Sequence, residues 1–411
     1  MRTPLVGLVG VAGLLAVAGV ACGPAGRRTA SPALETPTAT LATATIAPAA
    51  PTAAVATPTP GAARPGPFMA FAATDVRHQW ISHGTFVEAA SGLTLGDGEL
   101  SISSDGGLTW SELYRGEVWP DALAFADARH GWMAGCVRAP GTLQCATQVF
   151  RTDDGGARWQ RLDTYAGGWV VAMAFVTGTD GWLLANPCMP SCRDARAALY
   201  ATRDAGDSWR AVPLPATGPP ESLARIDATG AAIVTRHEVL VTDDAGADWA
   251  STPNPCAEPQ LHAGVGFQGG PTFFIDPMHG WLGCTAPGAA GTSPEALYAT
   301  ADGGRTWHVV AESPLGRAAP SPPGVGVLSG GGGISDIYFF DEMNGWIALD
   351  GPAGALFATT DGGYTWTRAD DTSGGGVDHV RFVTPDDGWA WGARLLHTSD
   401  GGQHWQSVSI P

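Results

Sequence analysis

An eight-residue phrase, SSDGGLTW at 103–110, returns six more times along the chain, and no other feature restricts the fold as tightly. The later copies are TDDGGARW (152–159), TRDAGDSW (202–209), TDDAGADW (242–249), TADGGRTW (300–307), TTDGGYTW (359–366) and TSDGGQHW (398–405). Their starts lie 39 to 59 residues apart, a period that points to a propeller or a solenoid. The phrase has a local logic. An Asp in a tight hairpin accepts hydrogen bonds from backbone N–H groups around the turn, the Gly two residues on takes φ > 0, and the Trp opens the next strand with a large apolar face. Asp105, Asp154, Asp204, Asp244, Asp302, Asp361 and Asp400 are therefore read as structural. Catalytic carboxylates must converge on one substrate, and one group placed once per repeat does not.

A second phrase precedes most octets. HGW (130–132), DGW (180–182), HGW (279–281), NGW (344–346) and DGW (387–389) each follow an apolar run containing Phe, such as ALAFAD, VAMAFV or DIYFFD. The first repeat keeps only RHQW, with Trp80, and the fourth has lost its Trp. Each unit then reads as strand, tight turn, strand beginning at GW, loop, strand, Asp-bearing turn, strand. Seven such units predict an all-β fold, a seven-bladed β-propeller of four-stranded antiparallel blades, over residues 68–411. The chain enters near a first strand (about 68–73) and ends after a fourth (405–410), so no strand is exchanged between blades and closure rests on packing between them.

Composition agrees: 57 Gly, 32 Pro and 16 Trp with 15% charged residues suit short strands and tight turns. The formal net charge is -17, and every one of the 22 basic residues is Arg. Such a surface repels phosphate backbones, which excludes nucleic acid as a partner.

The N-terminus carries Arg2, an apolar stretch over 5–21, and small residues leading into Cys22, the layout of a secretory signal. Ending on Cys, it resembles a bacterial lipoprotein signal, with Gly19 where that family usually has Leu. The resemblance implies that Cys22 becomes the lipidated first residue of a protein anchored outside the cytoplasmic membrane, in the cell envelope. A plain transmembrane anchor would need a longer and more apolar run. Residues 23–67 are almost wholly Pro, Ala, Thr and Gly, too poor in bulky apolar groups to fold, and read as an extended tether.

Up-and-down strands put the Asp-bearing turns and the GW turns on one face. The remaining cysteines, Cys136, Cys145, Cys188, Cys192, Cys256 and Cys284, all fall on the other. In a secreted protein their even number and local spacing favour the bridges 136–145, 188–192 and 256–284, among 15 possible connectivities. No paired C-x-x-C or His cluster supports a metal site, and no cofactor is expected. That stapled face is the candidate binding surface. It offers Trp119, Tyr165 and Trp169 in loops before first strands, Arg138, Arg193 and Arg196 in loops after second strands, and Trp391 late in the last second strand. The insert at 312–333, ESPLGRAAPSPPGVGVLSGGGG, is a further candidate, as a lid or as slack.

The octet is similar to the Asp-box, or BNR repeat, of sialidases, sortilin-type receptor domains and some glycanases. Combined with the F-x-D…GW half, the units most resemble the photosystem II assembly factor type of BNR propeller, across the whole of 68–411. That resemblance implies a non-catalytic scaffold that binds a protein or glycan partner, and the protein is expected to be a monomer. The alternative is a glycoside hydrolase of sialidase (exo-alpha-sialidase) or glycanase type. It would need three Arg from separate blades with a Tyr–Glu pair, or two opposed carboxylates, and the six Tyr stand in no recognisable motif.

Overall fold

The computed structural model describes residues 64–89, 92–138, 145–162, 169–186, 198–215, 218, 220–257, 268–286, 293–313, 324–328, 332–350, 355–369 and 376–410. These form seven sheets, each of strands consecutive in the chain. Blade one holds β1 (Arg64–Ala73), β2 (Gln79–Ala89), β3 (Gly92–Ser103) and β4 (Ser111–Gly116). Blade two holds β5 (Val118–Phe125), β6 (Gly131–Arg138), β7 (Cys145–Thr152) and β8 (Gln160–Leu162), and blade three β9 (Trp169–Phe175), β10 (Gly181–Asn186), β11 (Ala198–Thr202) and β12 (Arg210–Val212). Blade four holds β13 (Pro220–Arg225), β14 (Ala231–Thr235), β15 (Glu238–Thr242) and β16 (Ala250–Pro253), followed by a 3-10 turn, Pro255–Ala257. Blade five holds β17 (Gln268–Phe274), β18 (Gly280–Thr285), β19 (Glu295–Thr300), β20 (His308–Glu312) and a short fifth strand, β21 (Gly326–Val327), parallel to β20. Blade six holds β22 (Ile334–Phe339), β23 (Gly345–Leu349), β24 (Ala355–Thr359) and β25 (Thr367–Arg368), and blade seven β26 (Val377–Phe382), β27 (Gly388–Gly392), β28 (Leu395–Thr398) and β29 (Gln406–Val408).

The first strands of successive blades lie against one another, from β1 on β5 round to β22 on β26, and line the inner wall. Both faces of such a strand pack on neighbouring blades, so β13, β22 and β26 are buried at every position but the second. The outermost β12, β25 and β29 are mostly exposed. The first strand begins at Arg64, four residues earlier than the sequence reading placed it. Part of the 312–333 insert is structural: β21 covers the outer edge of blade five, Leu328 is buried, and Gly326 packs so closely on the Tyr364 backbone of blade six that no Cβ would fit.

Every octet closes in the same way. In blade two the Thr152 hydroxyl donates to Asp154 Oδ1 (3.0 Å) and accepts the Gly156 N–H (2.8 Å), while Asp154 Oδ1 accepts the Arg158 N–H (2.9 Å). The turn then docks on the first turn of its own blade, Gly155 N–H to the Arg129 carbonyl (2.9 Å). Both central positions of the octet have positive φ, not only the Gly two residues beyond the Asp. In blades three and four the first of them is alanine, Ala205 and Ala245, each at φ 60°.

Between blades the GW tryptophans act as inserts. Trp80 stacks on Phe125 of blade two (centroids 3.7 Å), Trp132 on Phe175 (3.4 Å), Trp281 on Phe339 (3.6 Å) and Trp346 on Phe382 (3.8 Å). Each of these Phe rings meets its own blade's octet Trp edge-on, as Phe125 meets Trp159 at 84°. The indole N–H of Trp80, Trp132 and Trp281 reaches a carbonyl of the next blade's octet: Gly155, Ala205 and Gly362. The Gly of GW is required because the Phe ring lies over it; a Cβ on Gly131, Gly181, Gly280, Gly345 or Gly388 would run into that ring. In blades one and four, where Ala73 and Arg225 end the first strand, Gln79 and Ala231 occupy the Gly position. The ring closes in phase, with Trp389 of blade seven against Phe71 (5.5 Å) and edge-on to Trp110 (5.9 Å) of blade one.

Two outcomes follow for stability. Trp132→Ala removes a fully buried indole with its stack and hydrogen bond, and is expected to cost about 3–5 kcal/mol in denaturant unfolding. Ala205→Gly and Ala245→Gly relieve a left-handed alanine at the cost of a looser unfolded chain. Each is expected to gain about 0.5–1 kcal/mol in the same measurement, and a loss would contradict the turn geometry.

Candidate functional site

The two faces of the disc differ in what their connections are made of. On the Asp-box face every first turn has five residues and every octet turn seven, all tightly bonded. These fourteen turns hold twenty Asp and Glu against five Arg, a surplus of fifteen out of the formal net charge of -17. Sequence reasoning had singled out one Asp per blade, yet most blades use a second. Asp75, Asp127, Asp227, Asp276 and Asp341 each accept two backbone N–H groups, from residues two and three further on. The carboxyls of these five and of the seven octet Asp are held below their usual range. The His404 backbone N–H, its ring and the Thr398 hydroxyl bring Asp400 down to about 2. At Asp302 and Asp361 burial pushes upward, and hydrogen bonds from Thr306 and Thr365 outweigh it. Ionised and saturated by their own turns, these groups form a negative wall rather than a set of proton donors.

The opposite face carries connections of widely varied length, from one residue between β4 and β5 to the 313–333 stretch, and β1 enters the disc from it. Of the cysteines predicted there, Cys256 and Cys284 are joined, with Cα atoms 5.4 Å apart. Cys136 ends up in β6 and Cys145 opens β7, but their side chains lie outside the described residues, as do those of Arg138 at the end of β6 and Trp169 at the start of β9. Cys188, Cys192, Tyr165, Arg193, Arg196 and Cys22 lie wholly outside the described residues.

Two candidates belong to the packing instead. Trp119 is not in a loop: Val118 and Trp119 pair with Val137 and Cys136, and the indole is buried over Gly84 of blade one, where no side chain competes for the space. Trp391 is buried beside Phe71 (5.0 Å) and His379 (5.1 Å), at the seam where the ring closes. Neither ring is presented to a partner.

The sequence reading also missed a buried ionic node on the inner wall. Asp336 in β22 accepts the Val380 N–H (3.1 Å) and Arg381 Nη1 (3.0 Å) through one oxygen, with His379 Nδ1 at 3.6 Å, all three from β26. Burial alone would raise the Asp336 carboxyl, but the Arg381 charge and His379 bring it below the usual range. The Arg381 guanidinium lies 5.8 Å from the Tyr338 ring centroid and 5.9 Å from that of Phe273. Charges inside the otherwise apolar runs SDIYFF and VDHVRF were the available signal. Their partners sit on adjacent blades, so the node ties blade six to blade seven. Among the described residues no group of three or more His, Cys, Asp or Glu is placed to hold a metal ion.

Comparison with known proteins agrees with this geometry. The family model for the photosynthesis system II assembly factor YCF48 matches residues 116–258 and 328–411, more than half of the chain. Among solved structures, YCF48 from Cyanidioschyzon merolae superposes with a TM-score of 0.56 at 16% identity, covering 82% of this chain and 99% of that one. YCF48 bound to D1 peptide superposes with a TM-score of 0.53 at 19% identity, covering 82% and 95%. No curated protein matches the chain by sequence. With seven blades in phase, Asp-box turns throughout and a family match over most of blades two to four and six to seven, the chain belongs to the family of the photosynthesis system II assembly factor YCF48.

Proposed function

We propose that this protein is a monomeric, non-catalytic assembly scaffold that holds a segment of another protein on the face opposite the Asp-box turns. Charge partition carries the reading. The Asp-box face concentrates most of the net negative charge, and it repels acidic peptides and the acidic surfaces of other proteins. The opposite face is close to balance and varies most in its connections, from the single residue 117 to the long stretches at 187–197 and 313–333, and recognition usually resides in such variable loops. The family relative bound to D1 peptide makes a peptide the leading class of ligand. The candidates that remain there are Arg138, Tyr165, Trp169, Arg193 and Arg196, with Cys136–Cys145 and Cys188–Cys192 as proposed staples of the same loops.

The lipid anchor belongs to the same proposal. Residues 1–22 act as a lipoprotein signal, Cys22 carries the lipid, and the stretch between Cys22 and β1 is the tether. Because β1 starts on the binding face, the tether joins the disc there and leaves that face free to lie toward the membrane, outside the cytoplasm. A partner embedded in or lying on the membrane is then within reach.

Two measurements test the reading. Affinity capture from solubilised membranes is expected to recover a defined partner with the wild type. A variant with 163–168 and 187–197 replaced by Gly/Ser, and melting normally, is expected to lose it. Equal recovery by both would overturn the loop-face site, and release of sugar from sialosides or β-glucans by the purified protein would overturn the non-catalytic reading. Separately, Cys22→Ser is expected to shift the protein from the detergent phase to the aqueous phase, and unchanged partitioning would overturn the anchor.

A further inference from the structure

Six of the seven seams between blades contain a Trp from the second position of the second strand: Trp80, Trp132, Trp182, Trp281, Trp346 and Trp389. Trp182 lacks a Phe to stack on and instead lies 4.2 Å from the Arg225 guanidinium. The seam from blade four to blade five is the exception, because the Trp position holds Ala232. Phe274 of blade five keeps its edge-on contact with its own Trp307 but has no indole of blade four stacked on it. Small aliphatic groups fill the space, with Val241 Cγ1 against Gly304 and Ala232, Val234 and Val239 in one cluster with Phe274 and Leu282. An indole replaced by such groups leaves less apolar area buried across the seam.

The Cys256–Cys284 bond crosses this same seam. On one side, Cys256 sits in the 3-10 turn after β16, and that turn is fastened to blade four. The Asn254 N–H donates to the His237 carbonyl (2.9 Å), its side-chain amide donates to the Thr235 carbonyl (2.7 Å), and its Oδ1 accepts the Cys256 N–H (2.9 Å). On the other side, Cys284 lies in β18, paired with Gly269 of β17 and Ala296 of β19. Both cysteines are buried. The family match stops at 258 and resumes at 328, so Cys284 and the blade it belongs to lie outside it.

We infer that the Cys256–Cys284 disulfide is the clasp that stands in for the missing Trp, and that its two-electron reduction by a dithiol loosens the propeller selectively at the seam between blades four and five. In that reaction a dithiol thiolate attacks one sulfur and breaks the S–S bond, forming a mixed disulfide and releasing one Cys thiolate. The second dithiol thiolate displaces the other Cys, leaving two protein thiols and an oxidised dithiol. Since both sulfurs are buried, the reductant reaches them only when the seam opens, so the rate of reduction reports that opening.

Hydrogen exchange on the full-length protein tests this. Removing the bond in a Cys256→Ala/Cys284→Ala variant is expected to speed amide exchange in β13–β14 and β17–β18 on the order of a hundredfold. The Trp-filled seams, such as β6 with β9 and β23 with β26, are expected to be unchanged. A Cys136→Ser/Cys145→Ser/Cys188→Ser/Cys192→Ser variant, compared before and after dithiothreitol and alkylation, gives the same readout should the Cys256→Ala/Cys284→Ala variant not fold. Uniform acceleration across all blades, or none at β14 and β18, would overturn the inference. Adding Ala232→Trp to the variant gives an independent arm, in which regained protection at this seam supports the equivalence of the clasp and the Trp.

Discussion

The insertion of one blade's GW tryptophan between the Phe and the octet of the next is the contact on which the rest of the molecule depends. A four-stranded blade has two apolar faces and cannot bury either alone. The indole addresses both needs of a seam at once, stacking on a ring and, in three blades, donating its N–H to a carbonyl of the neighbouring turn. The accepting carbonyl is exposed to the indole because the octet holds its two central residues at positive φ. The Asp therefore acts on the seam indirectly: by fixing the turn it fixes the acceptor for a Trp about seventy residues away.

Once the seams are made this way, the two faces of the disc diverge. One is consumed by turns in which the octet Asp and most first-turn Asp accept hydrogen bonds from their own backbone, and these turns carry most of the negative charge. The other has no such duty, which leaves its connections free to vary in length and composition. In a family of assembly factors, a rigid ring with one repulsive face and one variable face suits orientation-specific binding of a protein segment.

Much of this was legible in the chain. Seven octets, five GW phrases and the phase of the termini specify blade number, strand order and in-phase closure, because each is a local signal with a local cause. The failures are equally specific. Trp119 is expected in a loop before a first strand, yet β5 includes it and accommodates Pro120 at a bulge, where the Pro120 carbonyl accepts the Ser82 hydroxyl. Trp391 looks available until Phe71, from the far end of the chain, covers it. Asp336 and Arg381 look like isolated charges on apolar strands until β22 and β26 bring them together.

The amino-acid sequence by itself determined the repeating unit: the Asp-fastened turn, the Gly that makes room for a Phe ring, and the alternation of four short strands. Only the tertiary structure decided which aromatic groups are buried, how a seam without its Trp is closed, and which charges pair between blades. The physical reason is separation along the chain. Turn geometry is settled by hydrogen bonds spanning four residues, whereas burial at a seam depends on a neighbouring blade some fifty residues away, and at the closing seam on the opposite end of the protein.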